Sequence, residues 1–200
     1  MSALVRPPAD LSCTDLFATW LPAAFARARA AGAHPPDAVI AVVLDGDGGG
    51  AWTLRVASGA LAVTDGRDDG ALIALTQTVA DFRAAVWGDG AAASMLPAEL
   101  DLAAAITGEA RLPITALARI TGTLRIEIPG FADRTWAAAV TFGGAATPSA
   151  SVSVDLPTLE AIRAGSLPLA QAFFAGKIAV TGDVPWLMQV GMSVAAGGLA

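Results

Sequence analysis

Two hundred residues, 54% hydrophobic and 15% charged, are enough for one large domain or two small ones with a real core. A formal charge of −6, with Lys177 the single lysine and no basic run, gives nucleic-acid binding no support. The lone cysteine, Cys13, excludes an internal disulfide; the N-terminus lacks a leader's apolar core and no uncharged stretch runs unbroken across a bilayer's width, so a soluble cytoplasmic protein is expected.

Residues 12 to 31 carry an apolar stripe at near-helical spacing: Leu16, Phe17, Trp20, Leu21, Ala24, Phe25 and Ala28. Ser12 with Asp15 resembles a capping box. Pro22 lacks a donor and restricts Leu21, so it kinks this helix or starts a second one. His34-Pro35-Pro36 then ends the segment. Short strands follow, with Ile40, Val42 and Leu44 alternating with Ala41 and Val43, and Trp52, Leu54 and Val56 alternating with Thr53 and Arg55. The link between them, Gly46-Asp47-Gly48-Gly49-Gly50-Ala51, fits the dinucleotide pattern G-x-G-x-x-A. A strand pattern comes next rather than a helix, so no helix N-terminus meets a phosphate, and the loop reads as a hairpin turn. Gly59 marks a turn, Leu61 and Val63 continue the sheet, Asp65 to Gly70 is a loop, and Leu72 to Leu75 is another strand. Val79 to Trp87 reads as a helix with Phe82, Val86 and Trp87 on its apolar side and Gly88 as its stop.

Setting Ile40 against Leu124 exposes an internal match at an offset of 84 residues. Val42 and Leu44 fall on Ile126 and Ile128, Gly46 on Gly130, Trp52 on Trp136, Val56 on Val140 and Gly59 on Gly143. Beyond a deletion, Leu72 to Leu75 corresponds to Val152 to Val154, and the helix ending at Gly88 to Leu156 to Gly165. The segment around Gly108 pairs loosely with that around Gly176. The chain therefore divides into an N-terminal helical segment (1–36), a diverged first repeat (37–121) and a second repeat (122–200). Each repeat reads as four strands, two helices, a strand and a helix. Tight turns between short strands imply a mostly antiparallel sheet covered by helices on one face, an α+β fold. Leu124 to Ile128 and Ser151 to Val154 alternate cleanly, which leaves the second repeat's other face wet. Val39 to Leu44 is apolar on both faces and is expected to be enclosed, against the N-terminal helices.

The stretch Ser151 to Val190 resembles the C-terminal half of sterol carrier protein 2 domains. The matching features are the alternating strand, Asp155 before a short helix ending at Gly165, and Ala172-Phe173 in a second helix. Gly176-Lys177-Ile178 and Gly182-Asp183 then bound a strand before a final amphipathic helix. Trp136 and Gly143 resemble the family's preceding hairpin. The first repeat carries that hairpin at Trp52 and Gly59 but lacks the lysine and second glycine near Gly108-Glu109. The resemblance implies a five-stranded, mostly antiparallel sheet whose helices enclose an apolar tunnel for a lipid or other hydrophobic small molecule. It implies no catalysis and no cofactor. The side chains placed to line such a tunnel are Phe82, Val86, Trp87, Leu159, Ile162, Phe173, Phe174, Trp186, Leu187 and Val190, each of which could equally be packing core.

Candidates for chemistry are sparse. His34 sits before two prolines and reads as loop punctuation rather than a base. Cys13, at the front of a helix with no cationic neighbour in sequence, reads as an inert thiol. No cluster has zinc spacing, and Asp65, Asp68 and Asp69 read as a solvated turn. Lys177 reads as a strand-edge residue. The expectation is non-enzymatic binding of a hydrophobic molecule. A structural or interaction module and an accessory subunit of an enzyme stay open, as do a homodimer and a transient membrane contact.

Overall fold

The structure, a computed structural model, describes residues 7–32, 34–87, 114–131, 134–144 and 147–197. The stop expected at Gly88 and the segment around Gly108 lie outside these residues.

The Ser12 hydroxyl accepts from the Asp15 N–H at 3.0 Å and caps α1 (Cys13–Asp15). The chain then runs through a π-helical stretch, Leu16–Trp20, into α2 (Leu21–Ala30). Pro22 falls in the first turn of α2, but Leu16, Trp20 and Leu21 keep right-handed helical backbone, so the chain passes from the π-helical turn into α2 without a break at the proline.

The strands are β1 (Ala38–Asp45), β2 (Gly50–Ala57), β3 (Ala60–Asp65), β4 (Ile73–Thr78), β5 (Gly122–Phe131), β6 (Arg134–Phe142), β7 (Ser149–Val154) and β8 (Ile178–Gly182). The remaining helices are α3 (Val79–Trp87), α4 (Ile114–Leu117), α5 (Leu156–Arg163), α6 (Leu169–Phe174) and α7 (Val184–Gly197). The glycine run closes the β1–β2 hairpin. Gly46 and Gly48 have φ of 106° and 72°, and the Gly49 N–H donates to the Gly46 carbonyl at 3.0 Å. A Cβ on Gly49 would lie 2.0 Å from the Leu44 carbonyl oxygen, so the turn requires glycine there.

All eight strands form one sheet in the order β3-β2-β1-β4-β6-β5-β7-β8. The sheet is mixed: β1 with β4 and β5 with β7 run parallel, and the other five neighbouring pairs run antiparallel. Tight turns fix only the hairpin partners β1–β2, β2–β3 and β5–β6. The later strand of each set crosses to the far side of the hairpin's first strand and, after two reversals, runs in its direction. The two sets share this pairing. A helix follows each, capped by Thr78 before α3 and by Asp155 before α5.

Two details depart from the expected repeat. Among the described residues the second set has three strands before its helix and no counterpart of β3; β4 occupies that place beside β6. The offset of 84 also fails inside the hairpin. Trp52 lies opposite Val42, whereas Trp136 lies opposite Ile128 rather than Ile126. An irregularity between Ile128 and Phe131 accompanies this two-residue slide. A slide of two keeps every side chain on its face, so the alternation gave no sign of it.

The main core lies between one sheet face and the helices. It joins Leu16, Phe17 and Phe25 to Ile40, Trp52, Leu75, Trp136, Phe142 and Trp186. The opposite face carries mostly small or polar residues, among them Thr53, Ala74, Ala139, Thr141, Ser151 and Ser153. The enclosure expected for Val39 to Leu44 is split between the faces. Ile40, Val42 and Leu44 meet the helical layer, while Ala41, fully buried, packs with Ala71, Ala74 and Val39. Among the described residues no helix is long and apolar enough to cross a membrane.

Candidate functional site

The helix-facing layer of the sheet is filled unevenly. Over the first strands, Val42 and Leu75 are 3% and 5% exposed. The residues at the same ladder positions in the second set, Ile126 and Val152, are only half-buried. Ile178 and Val180 on β8 are also half-buried.

The close packing over β1 and β2 comes from the N-terminal helices. Phe17 stacks on Trp52 with ring centroids 4.5 Å apart and meets Phe82 at 5.7 Å. Trp87 packs edge-on to Phe82, donates its indole N–H to the Pro7 and Pro8 carbonyls, and lies under the Arg83 guanidinium. Arg83 in turn donates to the Leu11 carbonyl at 3.0 Å. Phe82 is therefore enclosed in aromatic packing, and Trp87 and half-buried Val86 lie beside it.

Over β5 and β7 the layer is built differently. Thr158 is buried under Asp155, whose carboxylate accepts its N–H at 2.8 Å and sets the start of α5. That helix packs on β5 and brings half-buried Leu159 against the core; Ile162 is half-buried farther along it. On the other side, α7 packs on β7 and α4. Its Trp186 donates to the Thr121 carbonyl at 2.7 Å and packs edge-on to Phe142. Gly122, at φ 129°, makes room for it, since a Cβ there would lie 2.8 Å from the Trp186 ring. Val190 is buried and Leu187 half-buried on the same helix. Ile126 and Val152, ladder neighbours, and Leu159 and Leu187, on helices that pack on β5 and β7, are thus each half-buried against the core.

Of the side chains expected to line a tunnel, Leu159, Ile162, Trp186, Leu187 and Val190 lie in this half; Ile126 and Val152, outside that set, face the same helical layer. Their alternation marked them as inward-facing strand residues and carried no sign of how much would cover them. Phe173 and Phe174 stand apart, 45% and 86% exposed on α6. Only Ala172 of that helix is buried.

The polar candidates have structural partners. Asp68 pairs with Arg55 at 2.8 Å and accepts from the Gly70 N–H at 2.8 Å, so it holds the β3–β4 turn. His34 meets Arg29 at 2.8 Å. Cys13 is buried, and burial raises its thiol pKa above the ordinary 9.0 against an opposing pull from Arg83. That cationic neighbour, distant in the chain, was invisible to local sequence. Among the described residues no three His, Cys, Asp or Glu side chains are placed to hold a metal ion.

Fold and site together define a one-sided α+β sheet with an apolar helical layer. No family model and no curated protein matches the chain. Among solved structures, the chain is similar to the crystal structure of sterol carrier protein 2 like 2 from Aedes aegypti. The match has 24% identity and a TM-score of 0.30, and it covers 36% of this chain and 72% of that one.

Proposed function

We propose that this protein binds or carries a lipid or another hydrophobic small molecule, without catalysis, between the β5–β7 part of the sheet and helices α5 and α7. The observation that carries this reading is the incomplete burial of Ile126 and Val152, at positions where Val42 and Leu75 are closed. An apolar ligand there would cover the aliphatic side chains left half-exposed, stabilising the complex by about 0.8 kcal/mol per buried methylene. The motif resemblance over Ser151 to Val190 supports the same half of the chain, as the second of two sterol carrier protein-like repeats. Leu159, Ile162, Trp186, Leu187 and Val190 would contribute to the lining. Phe82, Val86 and Trp87 belong instead to the half already filled by the protein's own aromatic rings.

Organic extraction of natively purified protein, combined with native mass spectrometry, should return a bound apolar molecule. Val152→Trp, which fills the region from the sheet side, should abolish that binding while the far-ultraviolet spectrum is kept. An empty protein whose melting temperature ignores acyl chains and isoprenoids would sink the reading.

A second reading, a protein-interaction module, is favoured by the exposure of Leu169, Phe174, Met188 and Met192, all above 60%. It predicts a stoichiometric partner in pull-down and no ligand on extraction.

A further inference from the structure

We propose that the free edge of β8 is a self-association surface, on which a second copy of the chain adds antiparallel about Val180. This rests on the sheet edge and is independent of any ligand.

Among the described residues β8 ends the sheet, with β7 its neighbour on one side only. The Thr123 N–H donates to the Pro148 carbonyl, which turns the even-numbered residues of β7 toward β5 and its odd-numbered ones toward β8. The Asp183 N–H accordingly donates to the Ser149 carbonyl at 3.0 Å. By strand alternation, Ile178, Val180 and Gly182 direct their N–H and C=O groups outward from the sheet. Edge strands are usually protected by a charge, a proline or a bulge within them. Ile178–Gly182 contains neither charge nor proline, and its register against β7 is continuous.

The flanking charges select the partner. In antiparallel pairing about Val180, Lys177 of each copy lies opposite Asp183 of the other, and Ala179 lies opposite Thr181. Lys177 and Asp183 are both exposed, and among the described residues neither forms an ion pair. Lys177 is near enough to Asp155 to help lower its pKa. One Asp183 oxygen accepts from the Trp186 N–H, which leaves the other available. Exposed Leu169, Phe173 and Phe174 on α6, which packs on β8, add apolar surface at the same end of the molecule. The opposite edge lacks this match. Pairing β3 about Val63 would set Leu61 against Asp65 and Arg67 against Gly59.

Sedimentation velocity on the full chain over a concentration series should show a monomer–dimer equilibrium. The Val180 amide should gain hydrogen-exchange protection as the dimer fills. Val180→Pro removes an outward N–H without touching the β7 ladder and should leave the protein monomeric. Lys177→Glu sets like charges opposite Asp183 twice per dimer and should weaken association about tenfold. Near-ultraviolet circular dichroism reports native packing in each variant; Lys177→Glu, at an exposed position outside the strand, decides the matter if Val180→Pro does not fold. A chain that stays monomeric throughout overturns the proposal. So does a dimer equally tight in folded Lys177→Glu with an unprotected Val180 amide.

Discussion

Arg134 of β6 and Asp81 of α3 form an ion pair across the junction of the two halves, with side-chain exposures of 38% and 7%. Asp81 also accepts from the Thr78 hydroxyl at 2.9 Å, and its own N–H donates back to that hydroxyl. The Trp136 indole N–H reaches the Asp81 carbonyl at 2.9 Å. One residue therefore braces the Thr78 cap of a helix in the first half and holds a strand of the second.

Asp81→Ala should lower unfolding stability by about 2 kcal/mol, combining the lost hydrogen bond from the Thr78 hydroxyl with a lost ion pair. The half-exposed Arg134 regains water in the variant, so the loss falls short of that for a fully buried pair. Urea denaturation measures it, and an unchanged midpoint would show that the junction does not depend on this contact.

Phe17→Ala should be more severe, at about 3–5 kcal/mol. Phe17 is 4% exposed, stacked on Trp52 and in contact with Phe82, so truncation opens a void against both rings. The variant should also shift Trp52 emission. If the proposed division of labour is right, it should gain affinity for apolar probes in the half that the protein normally fills itself.

Cys13 makes stability fall with alkali. Burial raises its folded pKa above 9.0, so its contribution is fully present below that value and is lost as pH rises through the folded pKa. Cys13→Ala should flatten this alkaline part of the stability curve. Native wild type should also react slowly with thiol reagents at neutral pH, since both thiolate and access are scarce. Fast labelling of the folded protein would contradict the burial.

Asp155 acts in the opposite sense. Hydrogen bonds from Thr158, side chain first and backbone second, lower its pKa below 3.8. Its stabilisation is present above 3.8 and is lost as pH falls through the folded value. Asp155→Ala should lose about 1 kcal/mol at neutral pH. The gap between the two melting temperatures should close in acid.

The parts of the fold legible in the sequence were those fixed by local chemistry. Glycines with positive φ marked the β1–β2 turn, Ser12 marked the first cap, and Val79 to Trp87 carried enough apolar periodicity to read as a helix. What escaped depended on partners distant in the chain. Two strands of identical alternation give no clue to which of them runs beside β1, so the parallel pairs were missed. A two-residue slide leaves every face unchanged, so Trp52 and Trp136 looked equivalent when their ladder positions are not. In the candidate site, Leu159 and Leu187 are expected from the repeat match and the family resemblance, and the structure places both half-buried against the core. Helix α6 is too short for its pattern to separate an inward Ala172 from an outward Phe174. Burial of Ile126 and Val152 was settled by the helices above them.

The β4–β6 pairing has a consequence for how the chain is made. β4 is complete at Thr78, but the strand that covers its outer edge begins only at Arg134. At about 5–20 residues per second, the nascent chain holds that edge open for on the order of several seconds, with Ile73 and Leu75 still without their neighbours in β6. A ribosome stalled in this interval would leave a sticky, unfinished sheet, so slow translation here should raise dependence on chaperones more than a destabilising mutation in the finished protein would.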